Sequence, residues 1–257
     1  MQRFKSWLAV FMTAMALPVT AQSEGGLIAG VEMEKKISQK ISIGLEGEMR
    51  TRNNFKTIDR WKIGLGASYK FNKWMKADVG YSLLDYNYRE KVTYYVSESG
   101  NPKIKWRPSY YGVKHRFHAS LTGSYKFANA LKLSLRERWQ YTYRPENTPT
   151  RYKMRMDEKT MEMDDDYVRG GKGQNQLRSR FQVEYDKKRA LFTPYASIEL
   201  FNSWAVEKIR YTVGTEIRLN KHHGLDVFYR YQNMKNVELG DYDPDMHYLG
   251  VGYKFKF

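Results

Sequence analysis

Trp-Lys-Ile-Gly-Leu-Gly-Ala-Ser-Tyr-Lys-Phe, residues 61–71, alternates without a break. Trp61, Ile63, Leu65, Ala67, Tyr69 and Phe71 take one set of positions; Arg60, Lys62, Gly64, Gly66, Ser68 and Lys70 take the other. A period of two puts successive side chains on opposite faces of a strand, here one apolar and one polar. The pattern spreads both ways from this stretch. Ile41, Ile43, Leu45, Gly47 and Met49 oppose Ser42, Gly44, Glu46, Glu48 and Arg50, and Phe117, Ala119, Leu121, Gly123, Tyr125 and Phe127 oppose Arg116, His118, Ser120, Thr122, Ser124 and Lys126. Similar runs at 26–34, 75–85, 131–144, 177–185, 191–201, 208–219, 225–233 and 246–257 bring the total to eleven. Most are near the ~9–11 residues that a tilted strand needs to cross a bilayer, and longer than the ~5–6 of an ordinary soluble strand.

Turn lengths agree with the parity of the apolar positions, as fixed registers require. Pairing Phe71 with Met75 aligns Tyr69 with Ala77 and Ala67 with Val79, and pairing Phe127 with Leu131 aligns Tyr125 with Leu133. In the run from Phe192 the apolar set moves to even numbers, and the even-length turn 186–191 lets Tyr185 meet Phe192 on the apolar face. Connections alternate between short (35–40, 72–74, 128–130, 186–191, 220–224) and longer (53–58, 86–114, 145–176, 202–207, 234–245). Short inner turns alternating with long outer loops characterise outer-membrane barrels.

The rest of the chain is consistent with export. Arg3 and Lys5 precede the apolar stretch Trp7 to Leu17, then Pro18 and the small residues before Ala21. This reads as a secretory signal peptide over 1–21, leaving 22–257 as a single barrel. Its removal leaves 42 basic against 28 acidic residues. No later apolar run reaches the ~18–20 residues of a spanning helix. The 15% of aromatic residues argues against disorder. Without cysteine there are no disulfides, thiol nucleophiles or Cys-ligated zinc.

Aromatics mark two levels. Tyr-Lys-Phe occurs at 69–71, 125–127 and 253–255, each time at a strand end with the rings on the apolar face. This matches an inner aromatic girdle. Trp61, Tyr81, Phe117, Trp139, Tyr141, Tyr211, Tyr229 and Tyr231 would form the outer one. The terminal strand ends on Phe257, the kind of signal read by the outer-membrane assembly machinery. Alternation alone does not choose between lipid outside and a lipocalin-like apolar interior. The signal peptide, loop asymmetry, girdles and terminal Phe favour lipid outside.

The expected fold is all-β: a transmembrane antiparallel up-and-down β-barrel of about 10–12 strands in the outer membrane of a Gram-negative bacterium, contacting its lipid. An even count requires ten strands from Ile41 onward, with 26–34 placed elsewhere, or twelve with one more to be found.

Several segments carry a further likeness: Glu34-Lys35-Lys36-Ile37-Ser38, Asp59-Arg60-Trp61, Pro194-Tyr195-Ala196-Ser197-Ile198-Glu199-Leu200-Phe201-Asn202, Asn220-Lys221-His222-His223 and Phe228-Tyr229-Arg230-Tyr231-Gln232. Together these resemble the exported bacterial β-barrels, common in the Bacteroidetes, known as domain of unknown function 2490. The resemblance implies an outer-membrane barrel and no particular activity.

Function must then lie in the lumen or the loops. Arg50, Arg52, Arg60, Lys62, Arg116, Arg136, Arg138, Arg178, Arg180, Arg210, Arg218 and Arg230 fall on the polar face, with Glu46, Glu48, Asp78, Glu184, Glu199, Glu216 and Asp226 as acidic company. Two readings follow: a narrow anion-preferring channel, since low-dielectric walls focus the field of the excess charge, or a barrel plugged by Arg–carboxylate pairs. An enzyme reading rests on His118 and Ser120, two apart on one face, with Glu137 interrupting the lipid face opposite Leu121; outer-membrane phospholipases use such a pair with a third polar residue. A third reading is surface binding or adhesion through the loops 86–114 and 145–176. Glu162 with Asp164-Asp165-Asp166 lacks the spacing of a calcium loop, His222-His223 lacks a third ligand, and Gly170-Gly171-Lys172-Gly173 lacks a strand–loop–helix context. No cofactor, metal or nucleic acid is expected.

Overall fold

The computed structural model describes residues 23–96, 102–127, 130–155, 160–187, 190–235 and 243–257. The expected signal peptide lies outside them. Eleven strands close into a barrel: β1 (Ser23–Lys36), β2 (Ile41–Arg52), β3 (Thr57–Lys70), β4 (Met75–Tyr88), β7 (Tyr110–Phe127), β8 (Leu131–Arg144), β11 (Lys172–Tyr185), β12 (Phe192–Asn202), β13 (Val206–Arg218), β14 (His223–Met234) and β15 (Asp245–Lys256). Chain neighbours pair antiparallel around the wall. β5 (Lys91–Val96), β6 (Pro102–Arg107), β9 (Tyr152–Arg155) and β10 (Thr160–Met163) form a separate sheet. Among the described residues no helix is long and apolar enough to cross a membrane.

The even count expected from the sequence is corrected. Run 26–34 belongs to the wall, and the barrel closes with eleven strands because β1 and β15 pair parallel, from Ser23↔Asp245 to Glu34↔Lys256. An odd number of alternating strands brings the first and last together pointing the same way. A parallel ladder satisfies the edge groups of both with slanted bonds, so closure does not demand an even number.

Registers follow the apolar parity. Tyr69 meets Ala77, Ala67 meets Val79, Tyr125 meets Leu133 and Phe127 meets Leu131. At β11–β12 Glu184 aligns with Tyr195, so Tyr185 and Phe192 are not partners; the register sits two residues from the expected one and keeps every side chain on its face. Ile63 is 70% exposed, Leu65 57% and Val79 56%, whereas the alternating polar positions turn into the barrel. That distribution is the reverse of a soluble globule and is what a hydrocarbon solvent selects.

Both girdles are visible as ring contacts. Tyr69–Phe71 and Tyr125–Phe127 are edge-on pairs with centroids 5.0 and 4.5 Å apart, and Phe255 pairs with Phe257 at 4.5 Å. At the other level Tyr81 hydroxyl and His115 Nδ1 share a hydrogen bond of 2.8 Å, and Trp139 Nε1–H donates to Asn175 Oδ1 at 3.1 Å. Rings with a polar tip fit this boundary, one end dry and the other wet.

The long loops hold more structure than their sequence suggests. β5–β6 rises from the β4–β7 hairpin and β9–β10 from β8–β11, and β6 pairs with β9 to join them. Val92, Tyr94, Ile104, Trp106, Tyr152, Met154, Met161 and Met163 align across the strands on one face. Lys103, Lys105, Arg107 and Lys153 occupy the other. The mouth is further braced at the β2–β3 loop, where Asn53, Asn54 and Phe55 all have positive φ. Asn54 Oδ1 there accepts from the Gly25 N–H at 2.9 Å, offsetting a left-handed conformation that asparagine tolerates better than most residues.

Candidate functional site

The lumen is built by parity: wherever the outward residue is apolar, its neighbours along the strand point inward. Glu199, 4% exposed, is the centre of the largest cluster. Its Oε1 accepts from Arg136 at 2.7 Å and Arg178 at 2.9 Å, and its Oε2 from Arg210 at 3.1 Å. Sheet register explains this, since Glu199 lies beside Arg180 on one strand and Arg210 on the other. Arg178 also donates to Gln140 Oε1 and Arg210 to Gln232 Oε1, both at 3.0 Å. Phe201, buried next to them, carries Arg178 and Arg210 over its ring at 4.5 Å and Lys208 at 4.6 Å. One carboxylate and one ring face therefore hold together a layer of cations.

Further acid–base contacts line the rest of the bore. Glu48 is gripped by Arg50 through two bonds of 2.6 and 2.9 Å, with Arg60 at 3.9 Å. Glu46 pairs with Lys62 at 2.8 Å. Arg138 bridges Asp78 at 3.3 Å and the Ser120 hydroxyl at 3.4 Å. Toward the mouth Arg52 lies 3.9 Å from Asp59, with Asn87 Oδ1 at 3.3 Å. Asp59 was not among the acidic residues expected here: it has the odd numbering of the outward Trp61 and Ile63, and a bulge in the β2–β3 ladder between Arg50 and Thr51 turns it inward.

Three further acidic residues of the polar face find partners outside the arginine layer. Glu184 pairs with Lys132 at 3.4 Å, Glu216 with Lys254 at 2.6 Å, and Asp226 accepts from the Tyr195 hydroxyl at 2.9 Å, all near the short-turn end. Arg116 and Arg230 bond only to threonine hydroxyls, of Thr142 at 3.3 Å and Thr212 at 3.1 Å. Among the described residues Arg180 has no ion pair, and neither do Arg116 and Arg230. Lys114, over the Tyr86 ring at 3.7 Å, and Lys208 add to this surplus. Both share the inward parity of the arginines, the signal by which they could have been found. Arg218 is exposed at the turn end and takes no part in the cluster.

The inner surface is not polar all round. Ile28, Phe228, Met246 and Tyr248 form a buried apolar cluster behind the parallel seam, with Tyr195 against it. A cavity of about 180 Å³ opens between Glu32, Glu34, Glu46 and Lys76, with Asp78, His118 and Arg138 also lining it.

The three catalytic candidates sit on the faces that the alternation gave them. His118 and Ser120 face the lumen, no hydrogen bond joins them among the described residues, and Arg138 holds the serine hydroxyl. Glu137 is directly opposite Leu121 as the register required, on the outer face of the wall, where its carboxylate accepts from Ser179 Oγ at 2.6 Å. The sheet itself separates the acid from the pair, so no triad forms. No group of three or more metal-ligating side chains occurs among the described residues.

Comparison with solved structures finds membrane barrels of low sequence identity. The beta domain of the Bordetella autotransporter BrkA aligns over 86% of each chain at 13% identity, TM-score 0.49. The translocator domain of NalP from Neisseria meningitidis covers 100% of this chain and 96% of its own at 9% identity, TM-score 0.46. The CymD monoaromatic hydrocarbon channel covers 83% of each at 6% identity, TM-score 0.37. No curated protein matches the sequence significantly. The profile of the family described as protein of unknown function DUF2490 matches residues 6–242, nearly the whole chain, and the protein belongs to that family.

Proposed function

We propose that the protein is an outer-membrane barrel whose bore is sealed by its own side chains and whose role is to hold the four-stranded outer sheet rigidly at the cell surface for binding. The observation that carries this reading is the three-guanidinium layer on Glu199. A barrel of this size has little more room than its side chains need, and here arginines from β8, β11 and β13 converge on one carboxylate of β12. Integration would be directed by the terminal strand, whose Phe257 N–H donates to the Glu34 carbonyl at 2.9 Å and so finishes the seam.

The unpaired cations favour a second reading, a narrow anion path. Arg116, Arg180 and Arg230 without carboxylate partners would attract anions and repel cations in a dry-walled bore. Planar-bilayer recording with purified protein separates the two. A sealed bore gives no unitary steps in molar KCl. Stable steps with an anion-selective reversal potential would replace the first reading with the second, and cation preference would overturn both.

A further inference from the structure

Two outward-facing features stand on one side of the barrel. The first is Glu137, on the lipid face of β8 between the two girdles. Leu135 and Trp139 flank it along the strand, Leu121 faces it on β7, and Leu177 and Phe181 lie either side of its β11 partner Ser179. The Ser179 hydroxyl meets one carboxylate oxygen. A carboxyl group in hydrocarbon with its remaining capacity facing lipid is unfavourable, and ionisable side chains at such depth mark functional contacts.

The second is the apolar face of the outer sheet. Tyr94 is 72% exposed, Val96 68% and Met163 57%, with Val92, Met161 and Met154 beside them. The opposite, cationic face turns to the barrel mouth: Arg107 donates to the Arg89 carbonyl at 3.4 Å and lies over Tyr110, while Arg89 grips Glu24 across the opening at 2.8 and 2.9 Å. The apolar face therefore looks away from the mouth. Because the sheet grows from the β4–β7 and β8–β11 hairpins, it stands above the wall that carries Glu137. An aromatic and methionine-rich face of this extent on the water side of a membrane marks an interaction surface.

We infer that the occupant of both is a second copy of this chain, related by a twofold axis along the membrane normal. An uncharged apolar face is complementary to itself, and an isologous contact sets each residue against its own surroundings in the partner. Two outer sheets pack apolar face to face while the two Glu137 side chains meet in the membrane. There the two side chains share a hydrogen bond, and Ser179 supports each. Polar side chains joined across a lipid-buried contact are a recognised means of association in hydrocarbon. The inference depends on the membrane-spanning wall and not on whether the bore is sealed.

The absence of cysteine makes the test clean. Single variants Leu135→Cys on the Glu137 wall, Met161→Cys on the outer sheet and Val251→Cys on β15 are oxidised in native outer-membrane vesicles and run without reductant. Mass in detergent is measured in parallel by light scattering. Dimer-sized bands from Leu135→Cys and Met161→Cys but not Val251→Cys, with a dimeric mass reduced at least tenfold in affinity by Glu137→Leu, support the inference. Glu137→Gln, which still hydrogen-bonds, should keep most of it. A monomeric mass with no cross-link, or cross-linking equal at all three sites, overturns it. So does a monomer whose sheet methionines are shielded from oxidation only when lipopolysaccharide is present, which would assign that face to lipid.

Discussion

Glu199→Gln keeps the shape of the central side chain and removes its charge, leaving Arg136, Arg178 and Arg210 to face one another around a neutral amide. Removing one partner from a buried ion cluster strands the others, a loss of about 3–5 kcal/mol. Urea unfolding of the detergent-solubilised barrel, followed by tryptophan fluorescence, should show the midpoint fall accordingly; an unchanged midpoint would mean that the cluster does not support the fold. Period-two alternation was enough to put each of these four residues in the lumen. Partner choice was not legible, because it depends on which strands lie side by side and on reach: Arg136 passes the intervening strand's Arg180 to contact Glu199, and Glu216 goes to Lys254. Asp59 was lost to a bulge, a local insertion that reverses parity without an obvious sequence mark. The opposite faces of His118 and Ser120 on one side and Glu137 on the other were legible from parity; the hydrogen bonds that occupy them, Arg138 to Ser120 and Ser179 to Glu137, were not.

At the scale of strands, the seam is the element the sequence described worst. Parity identified 26–34 as a strand, but antiparallel pairing was assumed throughout, and a parallel ladder leaves no signature in alternation. Packing behind the seam does leave one. Phe228 and Gly250 are register partners, and a Cβ on Gly250 would fall inside the Phe228 ring. Gly250→Ala is expected to destabilise the barrel by about 1–3 kcal/mol through overpacking. Adding Phe228→Leu should recover part of that loss in the same unfolding experiment. The outer sheet was illegible for a different reason: strands of four to six residues carry too few alternations to stand out from a loop. Its β9–β10 hairpin is tied by Asp164, whose carboxylate accepts from Lys153 at 2.8 Å and from Arg151 at 2.6 Å. The hydrogen bond from Lys153, then that from Arg151, holds this carboxyl below the ordinary aspartate value of 3.8. A carboxylate whose acidity is strengthened by folding contributes stability above the ordinary value and loses it as pH falls through the folded one. Amide protection factors in β9 and β10, corrected for intrinsic exchange, should thus be high above about pH 4 and fall below it while the barrel stays protected, and those of Asp164→Asn should be low at both.

For the whole molecule, closure sets the fate of every other contact. The alternation that fixes the wall would equally allow ten strands, because β2 and β15 run in opposite directions and could pair directly if β1 were gone. Circumference argues against that arrangement. Drawing the wall in by one strand would crowd the surplus guanidinium groups of Arg116, Arg180 and Arg230 toward those already bound to Glu199. It would also take Ile28 from the cluster with Phe228, Met246 and Tyr248, and Glu24 from Arg89 at the mouth. An unclosed wall fares no better, since β2 and β15 would each present a row of unpaired backbone groups to hydrocarbon. A chain lacking residues 23–36 is therefore expected to give no closed barrel. Folding into detergent or lipid and comparing heated with unheated electrophoretic migration checks this: the full chain should show the compact fast form, and the truncated one only the unfolded mobility. A truncated protein that migrates as a heat-sensitive compact species would show that ten strands suffice and that the parallel seam is dispensable for closure.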